Sequence, residues 1–200
     1  GDKALRVSAR VLSASLLALS LFGREAAGAA TESWPGFRGP ASTGISAVAK
    51  PPVKFGPTEN VRWRVDVPWS PSSPCIWNDR LFLTTFHEGH LEVRCYDRAD
   101  GRLRWTQRIR PPGVEEHHGM DGSPAASTPA TDGVHVVSYF GSFGLICHDF
   151  EGSELWRRPL TLAQSGGKFG TGTSPILHGN VVLLNRDQYQ DSSLLAVDVA

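Results

Sequence analysis

Residues 95–105 read Cys-Tyr-Asp-Arg-Ala-Asp-Gly-Arg-Leu-Arg-Trp, and each of four residue types in this stretch suits a particular structural role. Cysteine stands two residues before Asp97, on the same strand face, where a small side chain leaves room for a neighbouring sheet. The Asp97 carboxylate can accept backbone N–H groups of the following turn, and Gly101 supplies the positive φ that such a turn needs. Trp105 offers a large apolar surface to bury between sheets. The stretch predicts a strand, a tight turn and a second strand.

The same pattern recurs along the chain. Residues 147–156 repeat it with Asp149, Gly152 and Trp156, and a third copy begins at Ala196 and reaches Asp198. A Ser-Pro or Thr-Pro pair opens each unit, and the prolines are 55 and then 46 residues apart: Pro74, Pro129 and Pro175. A repeat of about 45 to 50 residues with four short strands is typical of a β-propeller blade.

The remaining sequence fits this interpretation, because past Ala30 it shows almost no helical periodicity. Short apolar runs between turn-forming pairs predict strands at 80–85, 91–96, 103–109, 134–139, 145–148 and 181–185. We therefore predict an all-β chain that forms an incomplete β-propeller of about three four-stranded blades. A β-sandwich with an aromatic core and chance similarity between units is the alternative.

The first thirty residues differ from the rest. Three basic residues precede the apolar run 11–22, and small residues supply an A-x-A pattern at Ala27 and Ala29. This arrangement predicts a signal peptide at residues 1–30, with a buried or membrane-anchoring helix as the alternative. No cysteine follows the apolar run before Cys75, so no lipid anchor is indicated. We expect a periplasmic or secreted protein without a stable membrane anchor after cleavage, comprising an extended segment (31–60) and propeller repeats (61–200).

Composition narrows the function further. The chain carries 20 Lys and Arg against 20 Asp and Glu, which provides no field for binding a nucleic-acid backbone. The cysteines number three, match no zinc-site spacing and leave at least one thiol unpaired. We interpret them as small core residues. His148, which follows Cys147 in a predicted strand, points to the opposite face and is not its catalytic partner.

The motif in residues 95–105 resembles the A-x-D-x-x-T-G-x-x-x-W repeat of the pyrroloquinoline quinone (PQQ)-like propellers, with Cys for Ala and Asp100 for Thr. Residues 34–40, Trp-Pro-Gly-Phe-Arg-Gly-Pro, also resemble the opening of exported bacterial members. The resemblance covers residues 34–200. It implies a ring of seven or eight blades, of which this chain is a fragment. A strand expected at 61–67, around Trp63, resembles the last strand of a blade and would complete the final blade of the ring.

The resemblance also defines two candidate functions. Quinoprotein dehydrogenases of this family hold PQQ and calcium on the propeller axis, commonly beside a Cys-Cys pair and a stacking tryptophan. Another branch resembles the outer-membrane assembly propeller, which docks a partner protein. No Cys-Cys pair is present here. We therefore predict a binding or scaffold module for a protein, glycan or small-molecule ligand at the propeller face. The alternative is a PQQ- and calcium-dependent dehydrogenase with catalytic residues beyond Ala200.

Two loops contain candidate ligand residues, although no catalytic residue is assigned. The first is 115–121, where His117, His118 and Asp121 combine imidazole and carboxylate groups that suit a transition metal. The second is 185–191, whose oxygen-rich side chains suit a polar pocket or calcium but lack the spacing of an EF-hand loop: Asn185, Asp187 and Asp191. A solvated polar loop is the alternative in both cases.

Two further segments favour structural interpretations. Residues 165–173 are rich in glycine but lack the G-x-x-x-x-G-K-[ST] order and the following helix of a phosphate loop. We interpret them as a flexible connection between blades. Four arginines alternate along or just beyond the strand at 103–109, which predicts a charged face protecting an outer edge strand or, alternatively, an anion site: Arg102, Arg104, Arg108 and Arg110.

Overall fold

The computed structural model describes residues 33–119 and 121–200, so the predicted signal peptide lies outside the described residues. Three antiparallel sheets follow one another along the chain. Blade 1 comprises β1 (Cys75–Trp77), β2 (Arg80–His87), β3 (His90–Asp97) and β4 (Leu103–Ile109). Blade 2 comprises β5 (Ala130–Thr131), β6 (Val136–Phe140), β7 (Gly144–His148) and β8 (Glu154–Pro159). Blade 3 comprises β9 (Ile176–His178), β10 (Val181–Arg186) and β11 (Ser193–Asp198).

The predicted all-β class and the incomplete ring of four-stranded blades are confirmed. Each innermost strand begins directly after the proline of a Ser/Thr-Pro pair, because proline lacks a backbone N–H and fits the start of a strand. The prediction of a strand at 61–67 is wrong, since these residues adopt no strand. No described strand pairs with them, so their backbone has no ladder of hydrogen bonds to join.

A relay of hydrogen bonds joins the innermost strands of consecutive blades. The backbone N–H of Ser73 donates to Thr128 Oγ1 at 3.2 Å, and the N–H of Thr128 donates to Ser174 Oγ at 3.0 Å. The sequence separations are 55 and 46 residues, equal to the two repeat lengths. The hydroxyls of Thr128 and Ser174 thus each bind the blade that precedes their own.

A second set of contacts, the tryptophan latch, joins the outer part of each blade to the next. The latch tryptophans are Trp63, Trp105 and Trp156, and each indole N–H donates to the carbonyl that follows a repeat aspartate. The donor–acceptor distances are 3.0 Å to Arg98, 2.9 Å to Phe150 and 2.7 Å to Val199, respectively. Trp63 therefore contacts blade 1 as the tryptophan of a preceding blade would, although its own segment is not a strand.

Glycine is required where the latch closes. Gly101 and Gly152 have φ of 76° and 91°, in the left-handed region. A Cβ at Gly101 would lie 2.6 Å from the Trp63 ring, and one at Gly152 would lie 2.8 Å from the Trp105 ring. The turn glycine therefore serves both the backbone conformation and the close approach of the indole.

The core lies between the blades. One cluster fills the space between blades 1 and 2 and includes Phe82, Val93 and Ile146, with Trp105 packed against it. A second fills the space between blades 2 and 3 and includes Val137, Leu145 and Val182. Blade 2 buries every residue of β6 and β7, because both of its faces are covered.

The antiparallel order gives the blades two different ends. The turn end contains the tight turns β1–β2 and β3–β4 and their equivalents in blades 2 and 3. The loop end, called here the loop face, contains the segments 88–89, 110–129, 141–143, 160–175 and 187–192. The latch and the repeat aspartates lie at the turn end. Both predicted ligand loops lie at the loop face.

Candidate functional site

The turn end is occupied by interactions of the repeat itself. Asp97 Oδ1 accepts the N–H of Ala99 at 2.9 Å, and Asp149 Oδ1 accepts that of Ser153 at 2.8 Å. Burial would raise the pKa of Asp149, but hydrogen bonds from the Ser153 and Glu151 backbone lower it below its usual value. Asp198 ends β11 and is exposed. Asp97 and Asp149 thus organise the turns that follow them.

The arginines of β4, the edge strand of blade 1, form ion pairs within that blade. Arg104 Nη2 lies 2.6 Å from both Asp97 Oδ2 and Asp79 Oδ2. Arg108 Nε lies 2.8 Å from Oε1 of Glu92, a fully buried carboxylate that Arg94 also contacts at 2.6 Å. Burial would raise the pKa of Glu92, but hydrogen bonds from Thr85 and Arg94 lower it. Arg104 and Arg108 of the alternating set therefore neutralise carboxylates of their own blade.

The first ligand loop turns one carboxylate inward. Glu115 is 1% exposed, and its Oε2 accepts a hydrogen bond from Thr171 Oγ1 at 2.5 Å. Its backbone N–H donates to Ser142 Oγ at 3.0 Å. Gly141 makes room for this contact, since a Cβ there would lie 2.3 Å from Thr171 Oγ1. Glu115 thus joins three segments of the loop face.

The environment of Glu115 perturbs its ionisation. Burial raises the pKa of Glu115 to about 6, against the opposing effect of the Thr171 hydroxyl. Glu115 Oε1 is buried without a hydrogen-bond partner among the described residues, as is the hydroxyl of Tyr139. Burial also raises the pKa of Tyr139, and Arg186, which is 7% exposed, opposes that rise. Unpartnered buried polar atoms at perturbed titratable groups often mark functional sites.

The histidines of the first loop make structural contacts. His117 Nδ1 lies 3.0 Å from the Glu115 carbonyl oxygen, and its ring packs edge-on to Phe86. His118 is exposed and packs edge-on to Phe169, while Asp121 is exposed and donates its N–H to the His118 carbonyl. Within residues 33–119 and 121–200, no group of three or more His, Cys, Asp or Glu is placed to hold a metal ion.

The second ligand loop is open to solvent. Asn185 lies at the exposed end of β10, and Asp191 is exposed with a φ of 58°. Asp187 Oδ1 accepts a hydrogen bond from Ser192 Oγ at 3.3 Å. Asp187 also lines a cleft, whereas Asn185 and Asp191 do not. The structure therefore separates the three candidate residues of this loop.

The glycine-rich connection 165–173 makes contacts with both ligand loops. Its interpretation as a flexible connection between blades did not predict these contacts. His118 donates its backbone N–H to the Lys168 carbonyl at 2.8 Å, and Phe169 forms a β-bridge with His117. On the other side, Tyr189 donates its N–H to the Gln164 carbonyl at 2.8 Å. A 3₁₀ turn spans Gly166–Lys168. The three loops thus form one hydrogen-bonded surface.

A cleft of about 530 Å³ opens between the connection and the second ligand loop. Its lining residues are Ser165, Gly166, Gly170, Thr171, Gly172, Thr173, Asp187, Gln188 and Tyr189. This volume lies within the usual range for small-molecule sites. Thr171 connects the cleft to the buried Glu115.

The sequence interpretation missed the buried part of this site. Thr171 and Arg186 lie in the segments 165–173 and 185–191 but were not among their candidate ligand residues, and Tyr139 belongs to no motif. Tyr139 and Arg186 lie in apolar strands. Their one sequence signal is a polar residue at a strand position that the repeat otherwise fills with apolar side chains. That signal is weak in a single sequence, because a strand can also place such a residue on its solvent face.

The thiols offer no nucleophile. All three cysteines are free and buried, and burial raises the pKa of each, to about 11 for Cys95 and about 12 for Cys147. The thiolate is the reactive form, so these groups are inert near neutral pH. Cys147 packs towards blade 3, whereas the His148 ring lies against Trp105 on the other face. The predicted core role is therefore confirmed for the cysteines.

Comparison with known proteins supports the fold. Residues 45–200 match the family model described as outer membrane protein assembly factor BamB. The crystal structure of BamB from Moraxella catarrhalis is similar, with 19% identity, a TM-score of 0.51, and coverage of 71% of this chain and 41% of that chain. A europium-containing methanol dehydrogenase has 12% identity, a TM-score of 0.49, and coverage of 66% and 23%, respectively. No curated protein matches the chain.

The low identity and partial coverage mean that the functions of these proteins do not carry over to this chain. The chain spans about two-fifths of the BamB structure, at 41% of its length, so the similarity shows the fold alone.

Within the described residues, the helices are single 3₁₀ turns, and none has the length or apolarity of a membrane span.

Proposed function

Because this chain belongs to the PQQ-like β-propeller repeat family, whose model matches residues 45–200, we propose that it is part of an exported binding or scaffold module. Its ligand surface is the loop face. The observation that carries the proposal is the joining of residues 115–122, 164–171 and 187–189 into one hydrogen-bonded surface with an open cleft. Binding sites commonly lie on loops that a rigid scaffold positions.

The distribution of polar groups favours binding over covalent catalysis. A nucleophilic site needs a reactive group within hydrogen-bond reach of a base. Here the thiols are buried with raised pKa values, and Glu115 is 1% exposed, with Thr171 as its side-chain partner. The buried network holds the loops in place, and the exposed polar groups at the cleft remain to meet a ligand.

The dehydrogenase alternative requires a place for PQQ and calcium, and the described residues do not fit them. Calcium needs six to eight oxygen ligands, commonly from several carboxylates. Asp187 is the one carboxylate that lines the cleft among the described residues. Cys75, Cys95 and Cys147 are buried within the sheets, so no thiol pair faces the loop end.

The family also bears on the partner and the compartment. The matching model is described as outer membrane protein assembly factor BamB, and the similar crystal structure is also of a BamB. This similarity supports a location in the periplasm or outside the cell, and the proposed cleavage of residues 1–30 without a retained membrane anchor rests on the sequence pattern. Its partner at the loop face is a protein, a glycan or a small molecule, and not a nucleic acid.

Photo-crosslinking from the two ends of the blades tests this proposal. A photoreactive amino acid is placed at His118 or Gln190 on the loop face, and at Arg98 or Glu151 at the turn end as matched exposed controls. In cells that export the protein, we expect discrete adducts from the loop-face positions and none from the controls. Adducts confined to the turn end would overturn the proposal.

Reconstitution tests the alternative. The purified protein is incubated with PQQ and calcium, and dye reduction is measured with alcohols and sugars as substrates. We expect no turnover and no rise in melting temperature, because the described residues provide no fitting ligand set. Substrate-dependent dye reduction would establish the dehydrogenase and refute a purely binding role.

A further inference from the structure

We propose that the cleft between residues 165–173 and 187–189 binds a neutral, hydroxyl-rich ligand of the carbohydrate or polyol class. This inference rests on the proposed function of the loop face and specifies its ligand. The cleft has a volume of about 530 Å³, large enough for a mono- or disaccharide. It is lined by hydroxyl, amide and carboxylate groups with one aromatic ring, and by three glycines that expose backbone.

The charge of the lining argues for a neutral ligand. Among the described residues that line the cleft there is no Lys or Arg, the side chains that recognise phosphate or carboxylate groups. Lys168 belongs to the same connection but lies 3.8 Å from Glu116 Oε1 and outside the lining. One carboxylate, Asp187, is too few for a divalent cation. These features disfavour anions and metal ions.

The hydroxyl groups that line the cleft differ in whether they can donate or accept a hydrogen bond. Thr171 is 5% exposed and its Oγ1 donates its proton to Glu115, so its two lone pairs can act only as acceptors. Ser165 Oγ accepts the N–H of Gly170 at 3.0 Å, so its proton can be donated to a ligand. Sugar hydroxyls both donate and accept, and therefore match a wall of mixed polarity. An anion would find an accepting Thr171 and Asp187 unfavourable.

The aromatic ring completes the site. Tyr189 is 77% exposed, and its Cδ2 lies 3.8 Å from the position that a Cβ on Gly166 would occupy. Its backbone is fixed by the hydrogen bond to Gln164. The exposed ring at the edge of the cleft offers an apolar face to the C–H side of a sugar, while its hydroxyl stays in water. The cleft thus has polar walls and an apolar platform.

Binding of neutral saccharides to the exported protein tests the inference. The probes are a panel of labelled neutral mono- and oligosaccharides, with sugar phosphates of the same series for comparison. We expect saturable binding of at least one neutral sugar, without tighter binding of its phosphate. Tyr189→Ala is expected to weaken this binding about fivefold to tenfold. The matched control is Phe55→Ala, which removes an aromatic ring of similar exposure from the segment 31–60, outside the cleft lining.

The outcomes distinguish failure of the carbohydrate assignment from failure of the proposed function of the loop face. Sugar binding that survives both Tyr189→Ala and Asp187→Ala would place the ligand elsewhere and overturn the inference. If loop-face crosslinks form but no neutral saccharide binds, the inference fails and the proposed function stands. If neither occurs, both fail. Unchanged melting temperatures show that the variants remain folded, and a preference for the sugar phosphate would overturn the neutral-ligand assignment.

Discussion

The turn end and the loop end of the same blades are held together by different chemistry. At the turn end, Trp105 inserts against Gly152 and donates one hydrogen bond to the Phe150 carbonyl, and Trp63 and Trp156 make the equivalent indole hydrogen bond. At the loop end, Glu115 and Thr171 form a buried polar contact that belongs to one place in the chain.

The difference shows how a repeat protein can separate stability from function. The turn end uses apolar burial and backbone hydrogen bonds, which serve equally well at every blade boundary. The loop end buries a carboxylate whose Oε1 has no hydrogen-bond partner among the described residues, at an energetic cost that a purely structural contact would avoid. Repetition therefore marks the scaffold, and departure from repetition marks the candidate site.

The largest expected effect comes from breaking the latch. Trp105→Ala should lower the free energy of unfolding by about 3 kcal/mol, because it removes a large ring from the space between blades 1 and 2. Urea denaturation measures the change. Trp105→Phe keeps a ring but loses the hydrogen bond to Phe150, and should cost about half as much. A loss below 1 kcal/mol for the alanine variant would show that the latch is dispensable.

The buried carboxylate gives the next largest effect, visible as pH dependence. Because the folded state raises the pKa of Glu115 from 4.5 to about 6, the folded protein binds more protons than the unfolded chain between these values. Stability relative to Glu115→Gln should therefore fall by about 2 kcal/mol as the pH rises from 4.5 past 6. Urea titrations across pH 4 to 7.5 measure it.

A change of net charge in the same loop controls for this prediction. Glu116→Gln removes one negative charge from a side chain that is 73% exposed. Its unfolding profile should run parallel to that of the wild type. If Glu115→Gln also ran parallel to the wild type over the whole range, the burial of Glu115 would have no thermodynamic consequence, and the contrast between the two ends would lose its basis.

A smaller effect separates backbone strain from packing. Gly152→Ala places a methyl group 2.8 Å from the Trp105 ring at a φ of 91°. Gly89→Ala, in the β2–β3 turn, imposes similar strain at a φ of 75° but meets no atom within 4 Å. The first should destabilise the protein by about 1 kcal/mol more than the second, as measured by thermal unfolding. Equal losses would mean that the latch tolerates the extra group.

The smallest effect concerns the repeat aspartate. Asp149→Asn keeps an Oδ1 acceptor for the N–H groups of Glu151 and Ser153, so it should cost about 0.5 kcal/mol or less. Asp149→Ala removes the acceptor and should cost about 1 kcal/mol. Thermal unfolding of the two variants compares the contribution of the Asp149 charge with that of its hydrogen-bond acceptor. A larger loss for asparagine than for alanine would indicate that the charge itself matters.

Most of the scaffold can be predicted from the sequence because its cues are local and repeated. Asp97, Gly101 and Trp105 identify a turn and its flanking strands within eleven residues, and the predicted strand 103–109 matches β4. The segment 61–67 could not be assigned correctly in the same way. A strand depends on a partner strand, and here the Trp63 side chain makes its contact although no described strand pairs with the backbone of 61–67.

The site was predictable in its parts but not in its assembly. The loops 115–121, 165–173 and 185–191 all attract notice by composition, yet their contacts join residues 24 to 56 positions apart, as in Gln188 with Gln164 and Thr171 with Glu115. Composition also suggests that all carboxylates of 115–121 face solvent. The structure instead buries Glu115, because Gly141 and Ser142 of the next blade provide space and a hydrogen-bond partner for it.

The relay through Ser73, Thr128 and Ser174 gives the array a polarity. Each link has a donor side and an acceptor side, so successive blades associate head to tail, as subunits do in a heterologous assembly. Such a contact does not specify how many units follow one another. That number is set by the rotation between neighbours, so this interface is compatible with gain or loss of a whole unit during evolution, provided that the accumulated rotation still closes the circle.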